Sequence, residues 1–416
     1  MSCSIIAGDP ASAYLRFGLS GFRNVLPDDV IERVGRRRRA DRRRRALVLT
    51  THFWLLVYAL CDPTIRGLGT LLGSASVALR DMFEGEPVVR ALHKSSLSLK
   101  NSCPKRLKCF RDLFQYLVGE ARGYRWMDPA LRHFARVTLV DASLLDLGLS
   151  LLKFYDTSRN DAPSKAQVKM NTALDLEAQV PEAICLGPGN RHERKLVPKL
   201  VQGAKKALFI FDLGYWDYGF FESLAQAGNF FISRLKSNAV YEVVRRLHPR
   251  RHDYLVRLGC PLSRMDRKLR LVGVPFEGET YWYVTNIMSR KLFTPHQIAS
   301  LYRRRWDIER FFFNLKEILG VRRLFSRTRN GIQVEIYAAL CTYLIVNILM
   351  HQAARAARIQ YSDLSFRKSF HFVSLWMRQR VGRGAPLSAD DIERLLLDLV
   401  IFAPAETRAT KRRRGA

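Results

Sequence analysis

ALFIFDLGYW, residues 207 to 216, decides how this chain is read. A run of apolar residues with no polar alternation predicts a strand buried on both faces, the pattern of a sheet covered by helices on each side. Asp212 ends that run, and Gly214 and Tyr215 follow as a turn. A carboxylate at the C-terminal end of a buried strand is costly unless something positive sits beside it. Ligands of open α/β sheets gather at such ends.

Working outward, RVTLVDAS (136–143), LLKFYD (151–156) and AQVKMNTALDL (166–176) read as three successive strands, with Asp141 ending the first. Helical patterns follow around 192–204 and 221–228, and NFFISRL (229–235) reads as a further strand. A meander followed by strand–helix alternation predicts an α/β sheet flanked by helices. Residues 237–285 break the alternation as a basic, β-rich insertion that ends in a hairpin turning at Glu277-Gly278. The expected division is a helical N-terminal domain over 1–125, a central domain over 126–365 that contains the insertion, and a basic helical tail over 366–416.

YRRRWDIERFFFNLKE (302–317) follows the insertion. Thr294, Pro295 and Gln297 supply an N-cap, an N1 proline and a capping-box partner, so a helix is expected from Pro295 onward. At about 100° per residue, Tyr302, Arg305, Glu309 and Lys316 fall within roughly 60° of one another, flanked by Trp306, Phe312 and Phe313. Neither a solvated face nor a plain core face mixes charges and aromatics in that way. A second long helix is expected around 334–354.

With 416 residues, 48% of them apolar and 11% aromatic, the chain can bury a substantial core, and its composition excludes general disorder. Lys and Arg number 69 against 38 Asp and Glu, a net charge of +31 that points to a polyanionic partner, nucleic acid above all. RRRRADRRRR (36–45) concentrates that charge as a candidate phosphate-contacting element, although a solvated surface is the plainer reading. GLGTLLG (67–73) lacks both the preceding strand and the GK[ST] ending of a phosphate loop. The seven cysteines form no CxxC pair and read as free thiols of a reducing compartment. ALVLTTHFWLLVYAL (46–60) is shorter than the roughly twenty residues of a membrane span and reads as a buried helix. The opening residues carry neither the basic start nor the apolar run of a secretory leader, so no membrane partner and a cytoplasmic location are expected.

Two aspartates at strand ends and a glutamate on a helix packed over the same sheet can form one cluster. Hard carboxylate oxygens suit Mg²⁺, and two such ions about 4 Å apart assist in-line phosphoryl displacement. Asp141, Asp212 and Glu309 are thus the candidate catalytic and metal-binding residues. Arg305 and Lys316 would neutralise phosphates, and Tyr302 would hydrogen-bond or stack on a nucleic-acid end. Singly, each acid has a plainer reading: turn chemistry for Asp141 and Asp212, and a helix ion pair with Arg305 for Glu309. Asp146, Asp156, Asp175 and Asp217 are rival acids.

The spacing of Tyr302, Arg305, Glu309 and Lys316 matches the Y-(2)-R-(3)-E-(6)-K signature of the insertion-sequence family four transposases, bacterial DDE enzymes, which the chain resembles over roughly 135–350. VDAS (140–143) resembles the first-aspartate motif, DLGY (212–215) the second, and YVTNI (283–287) the return from the family's β-rich insertion. RATKRRRGA at the end resembles the basic close of such proteins, whereas DAS departs slightly from the commoner Asp-Ser/Thr pair. The resemblance implies an RNase H-like mixed sheet and metal-dependent cut-and-paste transposition. Hydrolysis at transposon ends, hairpin formation and strand transfer would use two Mg²⁺ ions, with Mn²⁺ able to substitute. Double-stranded DNA, as terminal inverted repeats and target, is the implied partner of a homodimer. Tyr302, Arg305 and Lys316 would contact terminal DNA, and Trp282 would stack on a flipped base unless it is a strand-core tryptophan. A catalytically silent DNA-binding descendant and a nuclease that only hydrolyses are the competing readings.

Overall fold

The computed structural model describes residues 25–41, 47–65, 67–73, 93–124, 128–155, 165–191, 196–260, 265–381 and 389–405. Asp156, part of RRRRADRRRR and the closing RATKRRRGA lie outside the described residues. The first helices are α1 (Asp28–Arg37), α2 (Leu49–Cys61), α3 (Lys94–Ser102) and α4 (Pro104–Arg122). Next come β1 (Arg136–Leu147), α5 (Leu152–Tyr155), β2 (Ala166–Asp175), β3 (Val180–Pro188), α6 (Val197–Val201), β4 (Ala207–Phe211), α7 (Tyr218–Gln226) and β5 (Phe230–Arg234). β6 (Tyr241–Arg246), β7 (Asp253–Leu258), β8 (Leu269–Phe276) and β9 (Glu279–Thr285) precede α8 (Pro295–Arg303) and α9 (Trp306–Phe313). The chain closes with α10 (Arg329–Ala357), α11 (Phe366–Val381) and α12 (Ala389–Phe402). Two compact units emerge: residues 125–312 form one, and residues 1–124 together with 313–416 form the other.

The first unit is a mixed α/β sheet of nine strands in the order β3-β2-β1-β4-β5-β9-β8-β7-β6. β1, β4 and β5 run parallel, and the flanking strands pair antiparallel. β4 is buried at every residue, as its unbroken apolar run requires. Phe209, Phe211 and Phe231 face a core built with Leu200 of α6 and Phe221 of α7, where Phe221 and Phe231 stack at 4.4 Å. The opposite face carries α8, packed against β5 and β8. Arg270, fully buried on β8, pairs with Asp253 through two bonds of 2.9 Å and donates to the Phe293 carbonyl just ahead of α8. The β8–β9 turn falls at Glu277-Gly278, both with positive φ, the backbone that a two-residue hairpin needs.

Three expectations are corrected. The described part of LLKFYD, residues 151–155, is helical, not a strand: Leu149–Leu151 and α5 bury Leu151 and Tyr155, which lie four apart on one helical face. The third strand of the meander is β3, whose Pro181 is tolerated because β3 is an edge strand. Finally, Asp141 does not end β1, which runs on to Leu147 paired with β2 alone, so Asp141 marks only the end of pairing with β4.

In the second unit α10 is buried along nearly its whole length, because α2, α3, α4, α11 and α12 pack around it. A helix apolar on all sides belongs in such a position. By length and hydropathy α10 could cross a membrane, but its apolar stretch is entirely buried inside the protein. α2 is likewise buried, and residues 68–73 of the glycine-rich stretch are helical.

Candidate active site

The parallel register of β1 and β4 builds the site. Val140 stands opposite Phe211, so the next residues, Asp141 and Asp212, lie side by side where the parallel pairing stops. They point away from the phenylalanine core, since neighbouring residues of a strand alternate faces. α8 packs on that other face, and the joint between α8 and α9 carries Arg305.

The joint departs from the single helix expected from Pro295. The capping box of Thr294 and Gln297 is present, but α8 stops at Arg303. Arg304, Arg305, Asp307 and Ile308 then bond back three residues instead of four, which tightens the turn. Asp307 holds the turn by accepting from Arg304 at 2.6 Å and from Arg310 at 3.0 Å.

From this turn the Arg305 guanidinium meets all three candidate acids. It donates to Asp141 at 3.1 Å, pairs with Glu309 at 3.1 Å, and its Nε lies 3.8 Å from Asp212. That last gap exceeds a hydrogen bond, and Nε is buried without a hydrogen-bond partner. Arg305 is 11% exposed, whereas Asp212 and Glu309 are each 41% exposed. Burial works against the guanidinium charge, but Asp212, Asp141 and Glu309 outweigh it and raise its pKa above the ordinary value. Its face also lies 5.0 Å from the ring of exposed Trp306.

Tyr302 is buried, its ring 5.1 Å from Tyr283. Burial, then the charge of Asp212, pushes its phenol up to about 12, so at neutral pH it stays protonated. Trp282 is not part of this cluster. It alternates with Tyr283 to the opposite sheet face, where it packs beside His252 and Tyr254. Lys316 belongs to the other compact unit, in a π-helical turn Asn314–Ile318 whose wider hydrogen bonding breaks the 100° projection. Among the rival acids, Asp146 accepts from Gln167, Asp175 from the Glu177 and Ala178 amides, and Asp217 caps α7. Each therefore has a local structural partner.

The donor chemistry of the cluster fits a divalent cation, since three carboxylates collect around one positive group. Their present spacing is that of a guanidinium, and among the described residues no three carboxylates, imidazoles or thiols are drawn together tightly enough to hold an ion. The exposure of Asp212 and Glu309 leaves them room to turn. The contact of Arg305 with Asp141 and Asp212 is the feature that sequence reading missed, because no local signal joins residues so far apart.

Over 273 residues the chain is 28% identical to y4zB of Sinorhizobium fredii, named as a transposase, covering 62% of this chain and 70% of that one. It is 24% identical over 269 residues to the probable transposase for insertion sequence element IS5377 of Geobacillus stearothermophilus, covering 62% and 68%. It is 25% identical over 263 residues to transposase InsG for insertion sequence element IS4 of Escherichia coli, covering 60% and 58%. A solved piggyBac transposase synaptic complex with hairpin DNA aligns over 94% of this chain and 87% of that one at 10% identity, with a TM-score of 0.44, too loose a likeness to build on. Residues 132–345, half of the chain and the part that holds Asp141, Asp212, Arg305 and Glu309, match the family described as Transposase DDE domain, and the chain belongs to that family.

Proposed function

We propose that this chain is the DNA transposase of an insertion sequence, acting by divalent-metal-dependent phosphoryl transfer with Asp141, Asp212 and Glu309 as its catalytic carboxylates. The observation that carries the reading is their convergence on Arg305. The strand order β3-β2-β1-β4-β5, with a parallel centre, supports an RNase H-like core into which the strands of 237–285 are inserted. Residues 1–125 would then serve as a DNA-binding domain, 126–365 as the catalytic domain and 366–416 as a basic tail.

Two Mg²⁺ ions, replaceable by Mn²⁺, are the proposed cofactor, held by Asp141, Asp212 and Glu309. Bound there, they supply activation of the attacking oxygen and neutralisation of the leaving one. The chain's own residues do the rest. Arg305 leaves the carboxylates and grips a phosphate of the transposon end through two of its N–H groups. Tyr302 keeps its proton and offers it as a hydrogen bond beside Asp212. Lys316 adds a point charge, and Trp282 contributes only if its strand neighbours release it to stack on a base.

In the proposed sequence water attacks phosphorus at the transposon end and the 3′ oxygen leaves. The freed 3′-OH attacks a phosphodiester of the opposite strand and expels the flanking 3′ oxygen, which leaves a hairpin; water then opens the hairpin, and the regained 3′-OH joins target DNA by displacing a 3′ oxygen there. A homodimer would pair two ends. Incubating the protein with duplex DNA that carries the element's terminal inverted repeats and Mg²⁺ tests the reading. Cleaved ends and joined products are expected, and both should be lost in Asp141→Asn, Asp212→Asn and Glu309→Gln. Cleavage without joining would indicate a nuclease, and binding without cleavage a silent descendant.

A further inference from the structure

Beyond the carboxylate cluster, the other compact unit carries a rigidly mounted row of arginines between the π-turn and α10. Arg322, Arg323, Arg327 and Arg329 are all exposed within eight residues. Glu317 occupies Arg322 at 2.7 Å, while among the described residues the other three have no acidic partner.

An exposed basic segment is ordinarily just solvated surface, but this one is clamped from beneath. Glu335, buried in α10, accepts from the Phe325 amide at 2.7 Å and from the Ser326 hydroxyl at 2.6 Å. Asn101 donates to both Glu335 and Ser326, and its own oxygen meets His52 at 2.5 Å. Thr328 bonds Ser102 at 2.9 Å and caps α10, and Asn330 donates to the Ser102 carbonyl. Gly331 lies so close to Ser326 that an added Cβ would collide with it. Burying this many polar groups is costly and leaves the segment one backbone conformation. Charged groups on a rigid backbone lose less freedom on binding.

We propose that Arg323, Arg327 and Arg329 form a preorganised binding surface for the phosphate backbone of duplex DNA. The surface is additional to the contacts assigned above to Tyr302, Arg305 and Lys316. This rests on the reading of the chain as a DNA-acting enzyme. The three guanidiniums contact phosphates without reading bases, so they position DNA and do not select a sequence.

The test is fluorescence anisotropy of the full chain on a labelled duplex of arbitrary sequence, titrated across salt concentrations. Each phosphate contact contributes about 0.9 to the slope of log K against log salt. The triple variant Arg323→Gln, Arg327→Gln, Arg329→Gln is expected to reduce that slope by about 2 to 3, a few hundredfold in affinity at about 0.1 M salt, with an unchanged melting temperature. A control that removes three exposed charges elsewhere, Arg132→Gln, Lys199→Gln, Lys205→Gln, is expected to change the slope by less than about 1. Equal loss in both triples would reduce the effect to net charge and overturn the proposal, as would a wild-type slope in the first triple. Wild-type protein that fails to bind DNA at all would instead sink the DNA-acting reading, and this surface with it.

Discussion

Asp141 and Arg305 stand 164 residues apart in the chain, yet a hydrogen bond of 3.1 Å joins their side chains. That bond ties the central sheet to the turn between α8 and α9. It also means that the residue expected to grip DNA is engaged with the acids that would hold metal. On the proposed reading Arg305 would have two roles that exclude each other in time, balancing the carboxylates and binding phosphate.

Replacing Arg305 by Gln leaves Asp141, Asp212 and Glu309 facing one another without a counter-charge. The expected loss is about 1–3 kcal/mol of folding stability in metal-free buffer. Millimolar Mg²⁺ should restore part of the melting temperature in the variant and shift the wild type less, since only the wild type has a guanidinium to displace. Thermal melts with and without Mg²⁺ check this, and equal shifts in both proteins would argue that Arg305 and cations do not compete. Arg305→Lys should keep charge and fold but lose end cleavage roughly ten- to hundredfold, because a point charge replaces a planar fork.

Asp212→Ala is expected to separate binding from chemistry. If DNA affinity rests on the proposed cationic surfaces, it should stay within a few-fold of wild type at fixed salt. Cleavage should disappear. Parallel loss of both would mean that the variant is misfolded.

Stability should fall as pH rises above about 6.5. Burial raises the Glu335 carboxyl to about 7, against hydrogen bonds from Ser326, Phe325 and Asn101 that pull it down. A carboxyl raised in the folded state stabilises fully below its unfolded pKa and loses that contribution as pH climbs through the folded one. His52 works in the opposite sense on the acid side: burial, then Arg106, lowers it to about 3, so its contribution is present above its ordinary pKa and fades as pH falls. The two slopes offset each other between about 4.5 and 6.5, leaving a plateau. Glu335→Gln should abolish the decline above the plateau, a difference of about 1 to 1.5 kcal/mol between pH 6 and 8, because the folded and unfolded states differ in bound protons only up to about pH 7. Urea melts across that window measure it, and parallel curves for the two proteins would exclude Glu335 as the cause.

Arg270→Ala is expected to cost about 3–5 kcal/mol, because it strands the buried Asp253 carboxylate and frees the Phe293 carbonyl. Arg270→Ala combined with Asp253→Ala should recover much of that loss. Chemical denaturation of both variants decides it, and no recovery in the double variant would place the damage in packing and not in the stranded charge.

Several elements were legible in the sequence because their causes are local. The apolar run of 207–211 makes a buried strand wherever it is placed, Thr294 and Gln297 cap their own helix, and Glu277-Gly278 turns its own hairpin. The i, i+4 pair of Arg305 and Glu309 likewise follows from helical spacing. Other features had no local cause. Whether LLKFYD coils or extends depends on which neighbours bury Leu151 and Tyr155. Whether β1 stops at Asp141 depends on β2, which continues beside it after β4 has ended. The joining of Asp141, Asp212 and Arg305 was decided by the register of two parallel strands and a tightened turn, both set by tertiary packing. A chain's local preferences can choose its elements, but pairing across 164 residues is settled only when the whole sheet buries its faces at once.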